Sequence, residues 1–385
     1  MATLNLPVIV LVLLSVFVIY RIQPLSEGFV NYYKCPTLGV GQLNSKIFDS
    51  HGWQRSQSKN QTKKTPSPDL YIPCGYNNVE RELSDLKPDN TSMQIYGVPG
   101  CDQIVSKNRL WELVVDYWGL SEAQKIMPTT YLLNSSSDRQ RLRKYWARMA
   151  HQSPNGQGPI LILKKNVQQK KGLLLTRSWS DIRFARFKGY VVAQQYQTNL
   201  YQIQGRKINL RVYLAIRCYQ KKVQAFLYQN GKCIYTSKSQ HTHDDLDFET
   251  NITSYNLDPK VYQTHPLDFR QLRVHLQNEG HDPQILFRRI TTLMTRTVQA
   301  VRPKLCGNTN LHQNRCFQLF GADIIFTPTL VPYLLECNKG PSLKPRTSGD
   351  HTLKTEMLTS LYSKMGLDDE MAQKSNPDLW VTLEL

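Results

Sequence analysis

The sequence predicts a mixed α/β body behind an apolar N-terminal segment, and three stretches predict it. Residues 207–216 alternate cleanly. Ile208, Leu210, Val212, Leu214 and Ile216 share one face, and Lys207, Asn209 and Arg211 share the other, as in a strand. Residues 316–326 and 332–338 read as two further strands, and Thr327-Pro328-Thr329-Leu330-Val331 between them has loop chemistry. Ile285–Val301 instead places Leu286, Ile290, Leu293, Val298 and Val301 at helical spacing, which makes it a packing helix.

A chain of 385 residues suffices for one large domain or roughly two to three small ones. Its 40% apolar content allows a substantial core. Lys and Arg number 48 against 30 Asp and Glu, a formal charge of +18, which favours an acidic partner. Nucleic acid is the weakest candidate, because no interleaved aromatic platform or reader motif is present. Cysteines stand at 35, 74, 101, 218, 233, 306, 316 and 337 with no CxxC pair, which disfavours a zinc site. Several fall in expected strands, where a free cysteine acts as a small apolar residue, so the sequence reads as that of a reducing compartment.

In chain order, Leu6–Tyr20 is apolar apart from Ser15, and Leu4 and Ile22 extend it towards the ~20 residues a bilayer requires. No Lys or Arg precedes it and no small-x-small cleavage site follows, so residues 1–22 read as an uncleaved single-pass anchor. Arg21 and Lys34 follow the segment, which places the body on the cytoplasmic side by the positive-inside rule. The sequons at Asn60, Asn90, Asn134 and Asn251 point the other way. Residues 23–90 read as a polar, irregular linker, most clearly over 51–68. Residues 91–158 form the N-terminal α/β part of the body, and Asp138–Met149 within it reads as a basic, solvated helix. Pro159–Lys164 is a short buried-type strand that opens the main region, 159–365, and residues 366–385 are a C-terminal tail. His241 and His243 lie near Asp244, Asp245 and Asp247 in a polar loop, which reads as solvated rather than as a metal cluster.

The chemistry concentrates in the expected hairpin. If its strands pair about the 327–331 loop, Asp323 falls opposite Leu335 or Glu336, and Glu336 and Asn338 share a face. Two carboxylates that close repel each other unless a cation lies between them. Mg²⁺ takes oxygen ligands and few protein carboxylates, and Asp323, Glu336 and Asn338 supply such a set. The alternative is a surface hairpin with solvated acids.

Leu319-Phe320-Gly321-x-Asp323, followed by Leu334-Leu335-Glu336-x-Asn338-x-x-Pro341-Ser342-Leu343, resembles the tubulin-tyrosine ligase family. Segments around Pro99–Trp111, Met127–Tyr131, Val191–Tyr196, Gly205–Tyr213 and Asp350–Lys354 resemble that family in the same order. The resemblance implies an ATP-grasp fold over 159–365 and an ATP-dependent ligase that adds Tyr, Glu or Gly to an acidic protein tail such as that of tubulin. It implies carboxylate activation through an acyl phosphate, with ATP and Mg²⁺ as cofactors and a free amino acid as co-substrate. It places Asp323, Glu336 and Asn338 on the metal. It places Lys164, Lys171, Gly172, Gln194, Gln195, Tyr196 and Lys207 on the nucleotide, and Lys207 and Arg211 in catalysis.

The chain departs from the family pattern in places. Lys165 stands where the family has proline, and only Gly172 remains of its paired loop glycines. Asn209 replaces an aspartate. No arginine follows Gly231 to hold the amino-acid carboxylate, and Lys232 and Lys238 are the nearest cations. These departures leave an alternative: a catalytically weakened, membrane-tethered protein that binds nucleotide or an acidic partner.

Overall fold

The computed structural model describes residues 30–34, 41–56, 68–75, 78–88, 91–167, 172–239, 246–254, 256–367 and 376–385. In chain order the elements are β1 (Asn31–Tyr33), α1 (Gln42–Ser50), β2 (Gln54–Ser56), β3 (Leu70–Tyr71), α2 (Val79–Asp85), β4 (Gln94–Tyr96), α3 (Cys101–Val105), α4 (Lys107–Trp118) and α5 (Leu120–Ile126). Then come β5 (Thr130–Leu132), α6 (Ser136–Gln152), β6 (Leu161–Lys164), β7 (Leu173–Thr176), α7 (Trp179–Phe184), β8 (Val192–Gln195), β9 (Gln202–Ile203), β10 (Arg206–Tyr219) and β11 (Lys222–Tyr235). The chain closes with α8 (Phe248–Asn251), α9 (Phe269–Asn278), α10 (Pro283–Val301), β12 (Arg315–Phe326), β13 (Pro332–Asn338), α11 (Ser348–Met365) and β14 (Trp380–Thr382).

Two sheets result. The larger runs β14-β11-β10-β12-β4-β3-β1-β2, with β13 on β12 and β9 on β10; the smaller runs β5-β8-β6-β7. Among the described residues, the pairings of β10 to β14 are antiparallel and those of β1 to β4, together with β4 on β12, are parallel. This mixture of strand directions with covering helices bears out the α/β expectation.

The alternation read from residues 207–216 is what places β10 at the centre. Ile208, Leu210, Val212, Leu214 and Ile216 sink into the core with α4, α9 and α10. On the opposite face Tyr213 and Ala215 are buried against α11, including Leu353 and Met357. That same face is polar at its start, where Lys207, Asn209 and Arg211 stand. Apolar cover thus gives way to a functional floor along one strand.

The helix expected over 285–301 is α10. Asp282 caps it by accepting from the Gln284 amide, and Pro283 occupies the first turn, where its missing N–H costs nothing. The basic helix expected over 138–149 is α6, Ser136–Gln152, a few residues longer at both ends and capped by the Ser135 hydroxyl. With α7 it covers the outer face of the smaller sheet, around Leu161, Leu163 and Ala193.

Three expectations differ from the structure. The stretch read as linker carries β1, α1, β2, β3 and α2, with Leu43, Ile47, Phe48, Trp53 and Leu70 in the core. Its few large apolar residues are diluted by Ser, Gln and Lys, so the sequence pattern hides them. The tail carries β14, which pairs with β11 and buries Trp380.

The third difference concerns the cysteines. Cys218, near the end of β10, and Cys306, just after α10, form a disulfide across 88 residues of sequence, with Cα atoms 5.6 Å apart. Cys74 is disulfide-bonded as well. This cross-linking runs against the expectation of free cysteines, since disulfides persist mainly in oxidising environments. No local spacing could reveal a pair that only β10 and α10 bring together. Cys101, Cys233, Cys316 and Cys337 are free and buried, as small apolar residues are.

The expected anchor, residues 1–22, lies outside the described residues. Among the described residues no helix is long and apolar enough to cross a membrane.

Candidate functional site

A cavity of about 240 Å³ opens between the two sheets. The smaller sheet contributes Ile162, Lys164, Leu173 and Gln194; the larger contributes Lys207, Asn209, Arg211, Ile234, Asp323, Glu336 and Asn338. One wall is therefore largely apolar and the floor is charged.

The floor belongs to a row of cross-strand partners. Lys232 on β11 pairs in register with Arg211 on β10, Arg211 with Asp323 on β12, and Asp323 with Glu336 on β13. This resolves the sequence alternatives for Asp323 in favour of Glu336. Arg211 donates from Nε to Asp323 Oδ1 at 2.7 Å and from Nη2 to Oδ2 at 3.2 Å. Glu336 takes an ion pair from Lys107, at the first turn of α4, at 3.0 Å. The Asn338 amide lies between the acids, 3.4 Å from Asp323 Oδ2 and 3.3 Å from Glu336 Oε1. Gly321 makes room for this arrangement, since a Cβ there would meet Arg211 Cδ and Pro341 Cβ, each at 2.9 Å.

The electrostatics divide the two acids. Burial pushes Asp323 up, and the neighbouring charge of Glu336 adds to this against the Arg211 pair. Burial also pushes Glu336 up, but Lys107 and Lys164 outweigh it and hold its carboxyl below the ordinary range. Lys164 is itself pushed down to about 8, chiefly by burial. Arg211 is desolvated yet raised, because Asp323 holds its charge.

These residues fit a divalent cation. Two carboxylates converge within hydrogen-bond reach of the Asn338 amide, and Asn209 beside them keeps a buried Oδ1 with no partner among the described residues. Mg²⁺ prefers this kind of hard oxygen set. The Glu80, Cys101 and Asp102 cluster is different. There Glu80 accepts from the Gly100 and Asp102 amides, each at 3.1 Å, and Lys339 pairs with Asp102, so the group is satisfied within the fold.

The other expected residues divide. Lys207 is 1% exposed, and its Nζ donates to the Tyr196 hydroxyl and to Asn251 Oδ1, both at 2.7 Å. Gln194 points into the cavity with an unpartnered Oε1, while its Nε2 donates to Thr130 at 2.8 Å. The Gln195 side chain turns away to the Tyr131 hydroxyl at 3.2 Å. Gly172 does not line the cavity. It closes the loop after β6, where its carbonyl accepts from Lys165 at 2.9 Å and a Cβ would lie 2.4 Å from Val167. Lys171, His241, His243, Asp244 and Asp245 lie outside the described residues.

Of the two cations considered for an amino-acid carboxylate, Lys238 is on the surface, 2.7 Å from Glu249. Lys232 is buried beside Arg211 and pairs with Asp350 at 2.8 Å, and Asp350 also takes Lys354 at 3.1 Å. Neither lines the cavity.

Sequence reasoning assigned no chemistry to Lys107, Asn209 or Asn251. The alternation of β10 did mark Asn209 as a member of the polar face. No local pattern distinguishes Lys107 on α4 or Asn251 at the end of α8.

The fold and cleft define an α/β protein whose two sheets enclose a cation-rich cavity with paired carboxylates on its floor. The chain belongs to the tubulin-tyrosine ligase family, whose model matches residues 85–373. It is similar to the tubulin monoglutamylase TTLL4 of Mus musculus, 25% identical over 72% of this chain and 24% of that protein. It is similar to the tubulin polyglutamylase ttll-5 of Caenorhabditis elegans, 24% identical over 82% of this chain and 44% of the relative. It also resembles the probable tubulin polyglutamylase TTLL9 of Bos taurus, 31% identical over 50% of this chain and 42% of the relative. The chain thus spans less than half the length of each of these relatives.

Proposed function

We propose that this chain is an ATP- and Mg²⁺-dependent protein–amino acid ligase that attaches an amino acid to an acidic protein segment of the kind tubulin tails present. The row Arg211–Asp323–Glu336 carries this reading: a buried and a half-buried acid held together at the end of a cavity rimmed by lysines. The relatives' names favour glutamate as the amino acid. The apolar run at residues 1–22 tethers the body to a membrane.

Asp323, Glu336 and Asn338 would hold the metal, which when bound neutralises charge on phosphate oxygens. Lys164 reaches the same space from the smaller sheet and Lys207 from the larger, and both supply fixed positive charge for a polyphosphate. Gln194 offers its unpaired Oε1 to the base from the β8 side. Asn251 and Tyr196 fix the Lys207 ammonium in one position without cancelling its charge. Once its carboxylate is activated as an acyl phosphate, the acceptor is attacked by the amine of the incoming amino acid, and phosphate leaves.

The test is ATP-dependent incorporation of labelled Glu, Gly or Tyr into a panel of acidic tail peptides. Incorporation of glutamate supports the reading in full. Nucleotide binding without incorporation of any of them would favour the alternative, a tethered binding protein. Lys165 and the single glycine of the loop motivate that alternative.

A further inference from the structure

We propose that this body matures in an oxidising compartment and that Asn134 is a site of N-linked glycosylation there. The inference stands apart from the ligase reading. It does bear on the acceptor, which would be an acidic segment of a protein sharing that compartment.

Two observations carry it independently. The first is the cross-linking. Cys218–Cys306 ties the far end of the central strand to the segment after α10, and Cys74 is disulfide-bonded too. Forming each bond takes two electrons and two protons from a pair of thiols. These pass to an oxidised dithiol carrier protein, which is reduced to its dithiol. Compartments that maintain such carriers are oxidising.

The second is the setting of one sequon. Asn134-Ser135-Ser136 lies in the turn from β5 to α6. The Ser135 amide donates to the Leu132 carbonyl at 3.2 Å, which puts Asn134 inside a tight turn. Asn134 and Ser136 are both exposed, and the Asn134 amide has no partner among the described residues. This is the surface-loop context that such a tripeptide requires. The Asn251-Ile252-Thr253 sequon is the opposite case: Asn251 is buried in the cavity and holds Lys207. A glycan fits at the first site and would fill the cavity at the second.

The orientation argument drawn from Arg21 and Lys34 does not oppose this. Lys34 is buried in the body, where its Nζ donates to the Pro73 carbonyl, so it is a structural cation rather than a membrane-flanking one. Arg21 alone remains.

Glycosylation would form a bond from Asn134 Nδ2 to the anomeric carbon of a lipid-linked oligosaccharide. The bond from that carbon to the lipid diphosphate breaks, the diphosphate leaves with the electron pair, and an Nδ2 proton passes to a base of the transferase.

The test uses the full chain expressed in animal cells with an intact secretory pathway. With the sequons at Asn60 and Asn90 removed by glutamine substitution, digestion with peptide-N-glycosidase should increase its gel mobility, and the shift should vanish on adding either Asn134→Gln or Ser136→Ala. Peptide mapping after alkylation without reductant should recover Cys218 linked to Cys306. An unshifted chain in that background, or a shift that survives in both variants, overturns the glycan assignment. Alkylated Cys218 and Cys306 overturn the compartment. Neither readout depends on ligase activity, so failure here leaves the proposed reaction standing.

Discussion

Arg211 and Asp323 are register partners on adjacent strands, and the guanidinium meets the carboxylate with both arms, at 2.7 and 3.2 Å. This pair both joins two strands of the larger sheet and forms part of the cavity floor.

Removing one member therefore leaves a buried charge alone. Arg211→Ala should destabilise the metal-free protein by about 3–5 kcal/mol, the usual cost of breaking a buried pair from one side. Mg²⁺ should restore part of that loss, because a cation on Asp323 and Glu336 replaces the missing positive charge. Thermal denaturation with and without Mg²⁺ checks this. Equal losses in both conditions would show that no cation binds there.

Glu336→Gln keeps the shape of the side chain and removes its charge. Nucleotide affinity measured by calorimetry should then depend far less on Mg²⁺ than in the wild type. Lys107, 3.0 Å away, loses its partner in that variant and should add its own attraction for phosphate when the metal is absent.

Lys164 sets a pH dependence. Its folded pKa is about 8, below the ordinary lysine value, because the cavity desolvates it. It is charged below that pH and neutral above it. Affinity for ATP in the presence of a metal chelator should therefore fall as pH rises from 7 to 9, by at most about tenfold per unit for one proton. Lys164→Met should bind more weakly at pH 7 and lose this dependence.

Lys207→Met probes the charge that Tyr196 and Asn251 position. A preorganised charge at a phosphoryl-transfer site is worth on the order of 10²–10³ in rate. Turnover of labelled glutamate should fall by that factor, while circular dichroism stays that of the wild type. Raised salt should weaken acceptor binding separately, since surface attraction is screened within about 8–10 Å.

The Cys218–Cys306 cross-link spans 88 residues. Replacing both cysteines by serine should cost about 2–5 kcal/mol of stability. Denaturant titration of the double variant, compared with the oxidised wild type, reads this out.

The sequence by itself determined the longer elements and their inward residues. A period of two over 207–216 fixes which side of β10 meets α4, α9 and α10, because each side chain of a strand can point only one way or the other. The same rule put Lys207, Asn209 and Arg211 on one face, and hairpin reach brought Asp323 near Glu336. What the sequence could not determine was everything that depends on distance between remote segments. The Lys107–Glu336 pair joins α4 to β13, Asn251 reaches Lys207 from α8, and Cys218 finds Cys306 across α9 and α10. The elements in the expected linker and tail were hidden for the same reason. Each is too short to show a period and is held by packing against a sheet built elsewhere in the chain. Periodicity is a local property and survives in the sequence. Ion pairs, disulfides and short edge strands are settled only by the closing of the fold.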